Sequence, residues 1–230
     1  MTIGVLGATP VGRRERKKQQ TREHIAETAR RLFAERSFDS VTIAEIADRA
    51  DVSEQTVYNH FATKEDLVYW RMVSFEEELL AAVRDRPPGD TVLAAFGRFV
   101  RRPRGLMRSD DPEEHERIAG LMRTIVDSPA LLAREQAILR GYTSSLATVL
   151  AEETGVRADE IEPWIAATAM LGAHGVLIDF ARQRILAGAR PPRVSRELRA
   201  RTDRALALLE TGFGTYAVKP PTPPMVRLGT

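Results

Sequence analysis

The sequence predicts an all-α fold, with a small three-helix domain at the N-terminal end and a larger helical domain after it. Three observations carry this. Apolar residues recur at spacings of three and four along almost every segment. Proline and glycine fall between those segments rather than inside them. No run alternates polar and apolar residues as a half-buried strand would.

The first helix is expected from about Lys18 to Arg36, with Ile25, Ala29, Leu32 and Phe33 on one face. Thr42 and Glu45 form a capping box for the second helix, with Val41 and Ile46 as the hydrophobic staple around it. Ala50, Asp51 and Val52 make a three-residue turn. Ser53 then caps a short third helix from Glu54 to about Phe61, with Val52 and Val57 as a second staple. Thr63 and Asp66 make a further box, expected to open one long fourth helix through Leu67, Trp70, Val73, Leu80 and Val83 to a stop at Pro87 and Pro88.

Beyond this the helices are expected over Asp90 to Arg102, Pro112 to Asp127, Pro129 to Glu153, Glu160 to Ala187 and Arg196 to Phe213. Asp111 before Pro112 and Ser128 before Pro129 each set an N-cap ahead of a proline at the first helical position. Asp159 with Glu162 reads as another box, and Pro191-Pro192 as the break between the last two helices. The domain expectation is a flexible basic arm over 1–17, the three-helix domain over 18–64, the larger helical domain over 65–218 and a Pro-rich disordered tail over 219–230.

The chain has 230 residues, 43% hydrophobic and 29% charged, enough for a self-sufficient core and unlike a disordered chain. It has no cysteine, so disulfides and thiolate metal sites are excluded. Met1 to Gly12 lacks the charge and cleavage pattern of a signal peptide, and the expected setting is cytoplasmic. The longest apolar stretch, Trp164 to Ile178, falls short of the roughly 20 residues of a membrane span, so it reads as a buried helix with no membrane partner. The net charge of +2 argues for no particular partner. Its distribution does: Arg13, Arg14, Arg16, Lys17, Lys18, Arg22, Arg30, Arg31 and Arg36 outnumber the four glutamates among them, a footprint suited to a phosphate backbone.

Two short helices joined by a three-residue turn, behind an amphipathic supporting helix, match a helix-turn-helix, whose second helix enters the major groove of duplex DNA. Glu54, Gln55, Tyr58 and Asn59 form a polar face opposite Val57 and Phe61. A glutamine amide can pair with the N7 and N6 edge of adenine, a glutamate can accept from cytosine N4, and a tyrosine can meet a thymine methyl or a phosphate. Thr42, Thr56, His60 and Lys64 offer donors or a cation at helix ends, suited to phosphates, and Ser53 at the helix head joins the candidate contacts. The same pattern also fits a capped hairpin with a solvated face in a helical bundle.

The run Val41-Thr42-Ile43-Ala44-Glu45-Ile46-Ala47, with Val52-Ser53, Thr56-Val57-Tyr58-Asn59-His60-Phe61 and Lys64-Glu65-Asp66-Leu67, resembles the N-terminal signature of the TetR family of transcriptional regulators. The resemblance covers about Arg22 to Leu67. It implies backbone-contact positions at Thr56, Tyr58, His60 and Lys64, and operator-tuned positions at Glu54, Gln55 and Asn59. Two residues depart from the pattern: Ser37 and Asp51 stand where the family often has glycine. A left-handed conformation there costs Ser more than Asp, of order 1 kcal/mol.

The resemblance further implies a repressor that binds a palindromic operator as a homodimer and is released by a small effector. The last two helices would then form a four-helix bundle between protomers. Ala169, Gly172 and Ala173 permit close helix approach, and Leu198, Thr202, Ala205 and Leu209 form a seam. Trp70, Phe75, Phe96, Phe99, Met122, Trp164, Met170 and His174 are the candidate effector-lining residues, though each also reads as plain core. An architectural DNA binder without an effector is the first alternative, and an enzyme the remoter one. No enzyme is expected, and no cofactor or metal: Gly7 and Gly12 are followed by Arg13 and Arg14 instead of a P-loop's Lys and Ser/Thr, and the four histidines lack zinc spacing.

Overall fold

The computed structural model describes residues 12–102, 111–157, 159–213 and 218–219. These residues form ten α-helices and one 3-10 turn, with no strand among them. The chain divides into two compact units after Trp70, later than the expected boundary at Lys64.

In the first unit α1 spans Arg13–Glu35, α2 Ile43–Arg49, α3 Glu54–His60 and α4 Asp66–Tyr69. Ile25, Ala29, Leu32 and Phe33 of α1 are buried as their spacing requires, and so are Phe38, Ile46, Val57, Phe61 and Leu67 of the same unit. The phenyl rings of Phe33 and Phe38 lie 4.9 Å apart. Arg13 to Lys17, expected to be a flexible arm, are the first turns of α1; residues 1–11 lie outside the described ones.

Ser37 carries no left-handed strain. Arg36 and Ser37 are both extended (φ −138° and −64°), and the chain leaves α1 through the 3-10 turn Phe38–Ser40. Asp51 does adopt the left-handed conformation, at φ 53°. It is the non-glycine residue there among the described ones, and Asp is a side chain that tolerates it.

The second unit holds α5 Met72–Arg84, α6 Val92–Arg101, α7 Pro112–Val126, α8 Pro129–Thr154, α9 Ile161–Leu186 and α10 Pro191–Phe213. The long helix expected from Asp66 is therefore interrupted. Trp70 and Arg71 keep helical dihedrals but form a turn between α4 and α5. The Thr63 and Asp66 box is nonetheless made, with each backbone N–H donating to the other's side chain.

Caps explain most other boundaries. Thr91 accepts from Ala94 N–H, Asp111 from Glu113 N–H and Ser128 from Leu131 N–H. Gly155 ends α8 at φ 68°. The expected Asp159–Glu162 box is absent: Asp159 is held by the Arg157 guanidinium at 2.8 Å instead, and α9 starts without a side-chain cap. Pro191 and Pro192 open α10 rather than breaking it, since proline lacks the N–H that a first helical turn leaves unused; Gly188 at φ 80° makes the break.

In this unit α9 packs on α8, α10 and α7, while α6 packs on α5 and α10. Leu79, Val83, Phe96, Phe99, Leu146, Leu150, Ala167 and Met170 form the main core, and Ile118, Ile185 and Val194 a smaller one. Lys219, expected in the disordered tail, is anchored. Its ammonium donates to the carbonyls of Arg84 and Arg86, and its backbone pairs with Gly89 and Asp90.

Candidate nucleic-acid interface and effector domain

The reading helix α3 is short and fixed at both ends. Ser53 Oγ accepts from Thr56 N–H at 3.1 Å and lies 2.8 Å from Thr56 Oγ1. Val57 and Phe61 are buried beneath the helix. The opposite face therefore has to point outward, and Glu54, Gln55, Tyr58 and Asn59 are all exposed, Tyr58 by 50%. Gln55 Nε2 donates to Asn59 Oδ1 at 3.1 Å, so the two amides present a paired edge of donors and acceptors.

The preceding helix α2 is locked by its box. Thr42 Oγ1 accepts from Glu45 N–H at 3.2 Å, and Thr42 N–H donates back to Glu45 Oε2 at 2.8 Å. Arg36 adds an ion pair to Glu45 at 2.7 Å. The Thr42 backbone N–H first, then the Arg36 guanidinium and the Thr42 hydroxyl, hold the Glu45 carboxyl down at about 2.

Two predicted contact residues are engaged inside the unit. The Lys64 ammonium donates to the carbonyls of Phe38 and Val41 at 2.9 and 3.0 Å, and lies 4.2 Å from the centre of the Phe38 ring. Two of its three N–H donors are thus committed to closing the unit rather than meeting phosphate. His60 has its Nδ1 buried without a partner. Burial, then the positive charges of Lys18 and Arg22, push the His60 pKa down, so the ring is neutral near pH 7. Thr42, Ser53 and Thr56 combine capping with a position at the helix heads.

Of the candidate effector residues, the structure brings Phe75, Phe99 and His174 together. Phe75 is stacked on His174 at 4.9 Å and on Tyr142 at 5.5 Å, and meets Phe99 edge-on at 5.1 Å. Phe96 and Met170 belong to the same core. Met122 packs in the smaller core instead, Trp164 is 40% exposed, and Trp70 ends the first unit. Tyr142 was not among the candidates, although Ile138, Tyr142 and Leu146 lie four apart and mark it as core-facing. Its hydroxyl donates to the Met72 carbonyl, and burial raises its pKa, with the Glu76 charge adding to the shift.

Part of the expected dimer seam faces the chain's own core. Thr202 is 4% exposed and Leu209 packs on the main core, because α10 turns that stripe toward its own α6 and α9. Leu198 and Ala205 on α10 and Ala169 and Ala173 on α9 are half-buried, whereas Gly172 is exposed. The outward stripe of α9 runs through Ile161, Ile165, Thr168, Gly172 and Val176, with Ile161 64%, Ile165 46% and Val176 69% exposed. The stretch read as a buried helix has an apolar face bare in the single chain, and α9 is long and apolar enough to cross a membrane by composition. A second polar feature escaped the sequence: Arg182, 6% exposed, donates to both oxygens of Glu135 on α8 and to Asp179.

A short, N-capped helix with an outward polar face, behind a supporting helix and a boxed partner, is a helix-turn-helix of the groove-reading kind. The sequence comparisons agree. The family model for TetR-family bacterial regulatory proteins matches residues 25–69, and that for the MftR C-terminal domain matches residues 86–214. The chain is 29% identical over 151 residues to the transcriptional regulator TcmR of Streptomyces glaucescens, covering 65% of this chain and 67% of that one. It is 26% identical over 165 residues to MftR of Mycobacterium tuberculosis, named for mycofactocin biosynthesis, covering 68% and 77%. A crystal structure of a TetR-family regulator from Mesorhizobium loti superposes with a TM-score of 0.50 at 18% identity, over 85% of this chain and 98% of that one.

The chain belongs to the TetR family, with a C-terminal domain of the MftR type. It is a DNA-binding transcriptional regulator.

Proposed function

We propose that this regulator binds a near-palindromic operator as a homodimer and is released by a small apolar or amphipathic effector. The observation that carries the reading is the outward face of α3, where Gln55, Tyr58, Asn59 and Glu54 stand exposed over the buried Val57 and Phe61. In this reading Gln55 and Glu54 meet base edges, Asn59 orients Gln55 through their shared hydrogen bond, and Tyr58 meets a thymine methyl or phosphate. Ser53, Thr56 and Thr42 approach the backbone at the helix heads. Repression follows from occluding a promoter, and the setting is cytoplasmic.

The apolar stripe of α9, with Leu208 of α10 79% exposed, supports a dimer built on the last two helices. Isolated exposed apolar residues need no explanation, but a continuous stripe of this kind does. The effector site is proposed around Phe75, Phe99, Tyr142 and His174, the aromatic cluster gathered from α5, α6, α8 and α9. An effector acts only through its preference for one dimer geometry over another, and about 100-fold weaker operator binding asks for about 2.7 kcal/mol of preference. Gln55→Ala is the test. Lost discrimination at particular operator bases supports the groove assignment, and an equal loss on every sequence contradicts it.

A further inference from the structure

We infer that the first two turns of α1 form a second DNA-contacting element, a rigid basic rod that follows the phosphate backbone flanking the bases α3 reads. Every residue from Gly12 to Gln20 is exposed, and the buried residues of α1 begin only at Ile25. The helix thus runs fully exposed for about 12 Å from Arg13 to Gln20, at 1.5 Å per residue. That stretch holds Arg13, Arg14, Arg16, Lys17 and Lys18 against Glu15 alone.

Its own physics gives the rod no reason to carry those charges. A helix N-terminus is the positive end of the macrodipole and favours acids. Arg14, Lys18 and Arg22 stand four apart, where like charges repel. Among the described residues none of the five cations from Arg13 to Lys18 has an ion-pair partner, and Gly12 supplies no side-chain cap. A polyanion laid alongside removes all of these penalties together.

The stripe also starts in the right place. Arg22 lies 5.3 Å over the ring of Phe61, which closes α3, and its Nε is buried without a partner. Lys18 and Arg22 both press on His60 at the end of α3. The line Arg22, Lys18, Arg14 therefore runs outward from the end of the reading helix. Because the rod is helical, it suits phosphates along a groove edge rather than an extended arm threaded into the minor groove. The inference rests on α3 being the groove-reading helix.

The test uses the full chain with Arg13→Gln, Arg14→Gln and Lys17→Gln together, since glutamine keeps helix propensity while removing charge. Binding to a labelled mixed-sequence duplex of about 40 base pairs is followed by fluorescence anisotropy across a salt series. The slope of log K against log salt should become shallower by about 0.9 per lost phosphate contact, so by about 2 to 3. Arg13→Lys with Arg14→Lys should keep the parent slope. Base preference in a selection from random duplexes should stay unchanged in both variants. An unchanged slope in the glutamine variant overturns the inference, and so does an altered base preference, which would mean base reading. Failure of the α3 assignment is separate: it appears as Gln55→Ala leaving base preference intact.

Discussion

Lys64 carries a signature lysine's charge but turns it inward, onto the carbonyls of Phe38 and Val41. Lys64→Met should therefore destabilise the helix-turn-helix unit by about 2 kcal/mol, the worth of hydrogen bonds to a charged group, as read by denaturant unfolding. Unchanged stability with weaker DNA binding would instead return the ammonium to the phosphates. The spacing of Lys64 from α3 gave no hint of this, because both partners are backbone carbonyls far back in the chain. His60 makes a pH prediction. Its folded pKa lies below the unfolded 6.5, so the unfolded state binds the proton better, and stability is full above pH 6.5 and falls as pH drops below it. In thermal unfolding from pH 7.5 down to 5, the parent should lose more than His60→Gln does; parallel curves would contradict it.

The elements most legible in the sequence were those whose ends are fixed by local chemistry. Thr42 with Glu45, Ser53, Asp111 and Ser128 each mark a start because an N-cap involves residues two or three apart. The outward face of α3 was legible for the same reason. What needed the fold were the pairings across helices: Arg182 with Glu135, and Phe75 with Tyr142 and His174. Periodicity shows that α10 has an apolar stripe but not which neighbour it meets, so the Thr202 and Leu209 stripe could not be told from an interface. Glu135→Ala leaves the Arg182 guanidinium buried beside Asp179 alone, and should cost about 3–5 kcal/mol of stability in the second unit. Thermal unfolding of the variant checks it, and a cost under about 1 kcal/mol would mean that water reaches the pair.

At the scale of the molecule the bare stripe of α9 is the feature a single chain leaves unexplained. Val176→Glu puts a charge on the bare apolar stripe of the proposed interface without touching the core, since Val176 is 69% exposed. Sedimentation equilibrium should show dimerisation weakened by at least about tenfold, with helicity retained. A dimer of undiminished affinity would move the interface off this face. The effector domain is the part the sequence described least, because a pocket is a property of packed side chains rather than of spacing. Of the eight proposed lining residues, Met122 lies in the smaller core, Trp164 is 40% exposed, and Phe96 and Met170 belong to the wider core around Phe75 and His174. Phe99 joins those two, and Tyr142 completes the group.

Selection of bound duplexes from a random pool tests the central claim most directly, because it reads the exposed face of α3 and the dimer together. The account predicts a near-palindrome whose half-site centres lie one helical turn apart or a multiple of it, with one turn about 34 to 36 Å. Recovery of a single unpaired half-site, or of no enriched sequence at all, would contradict it.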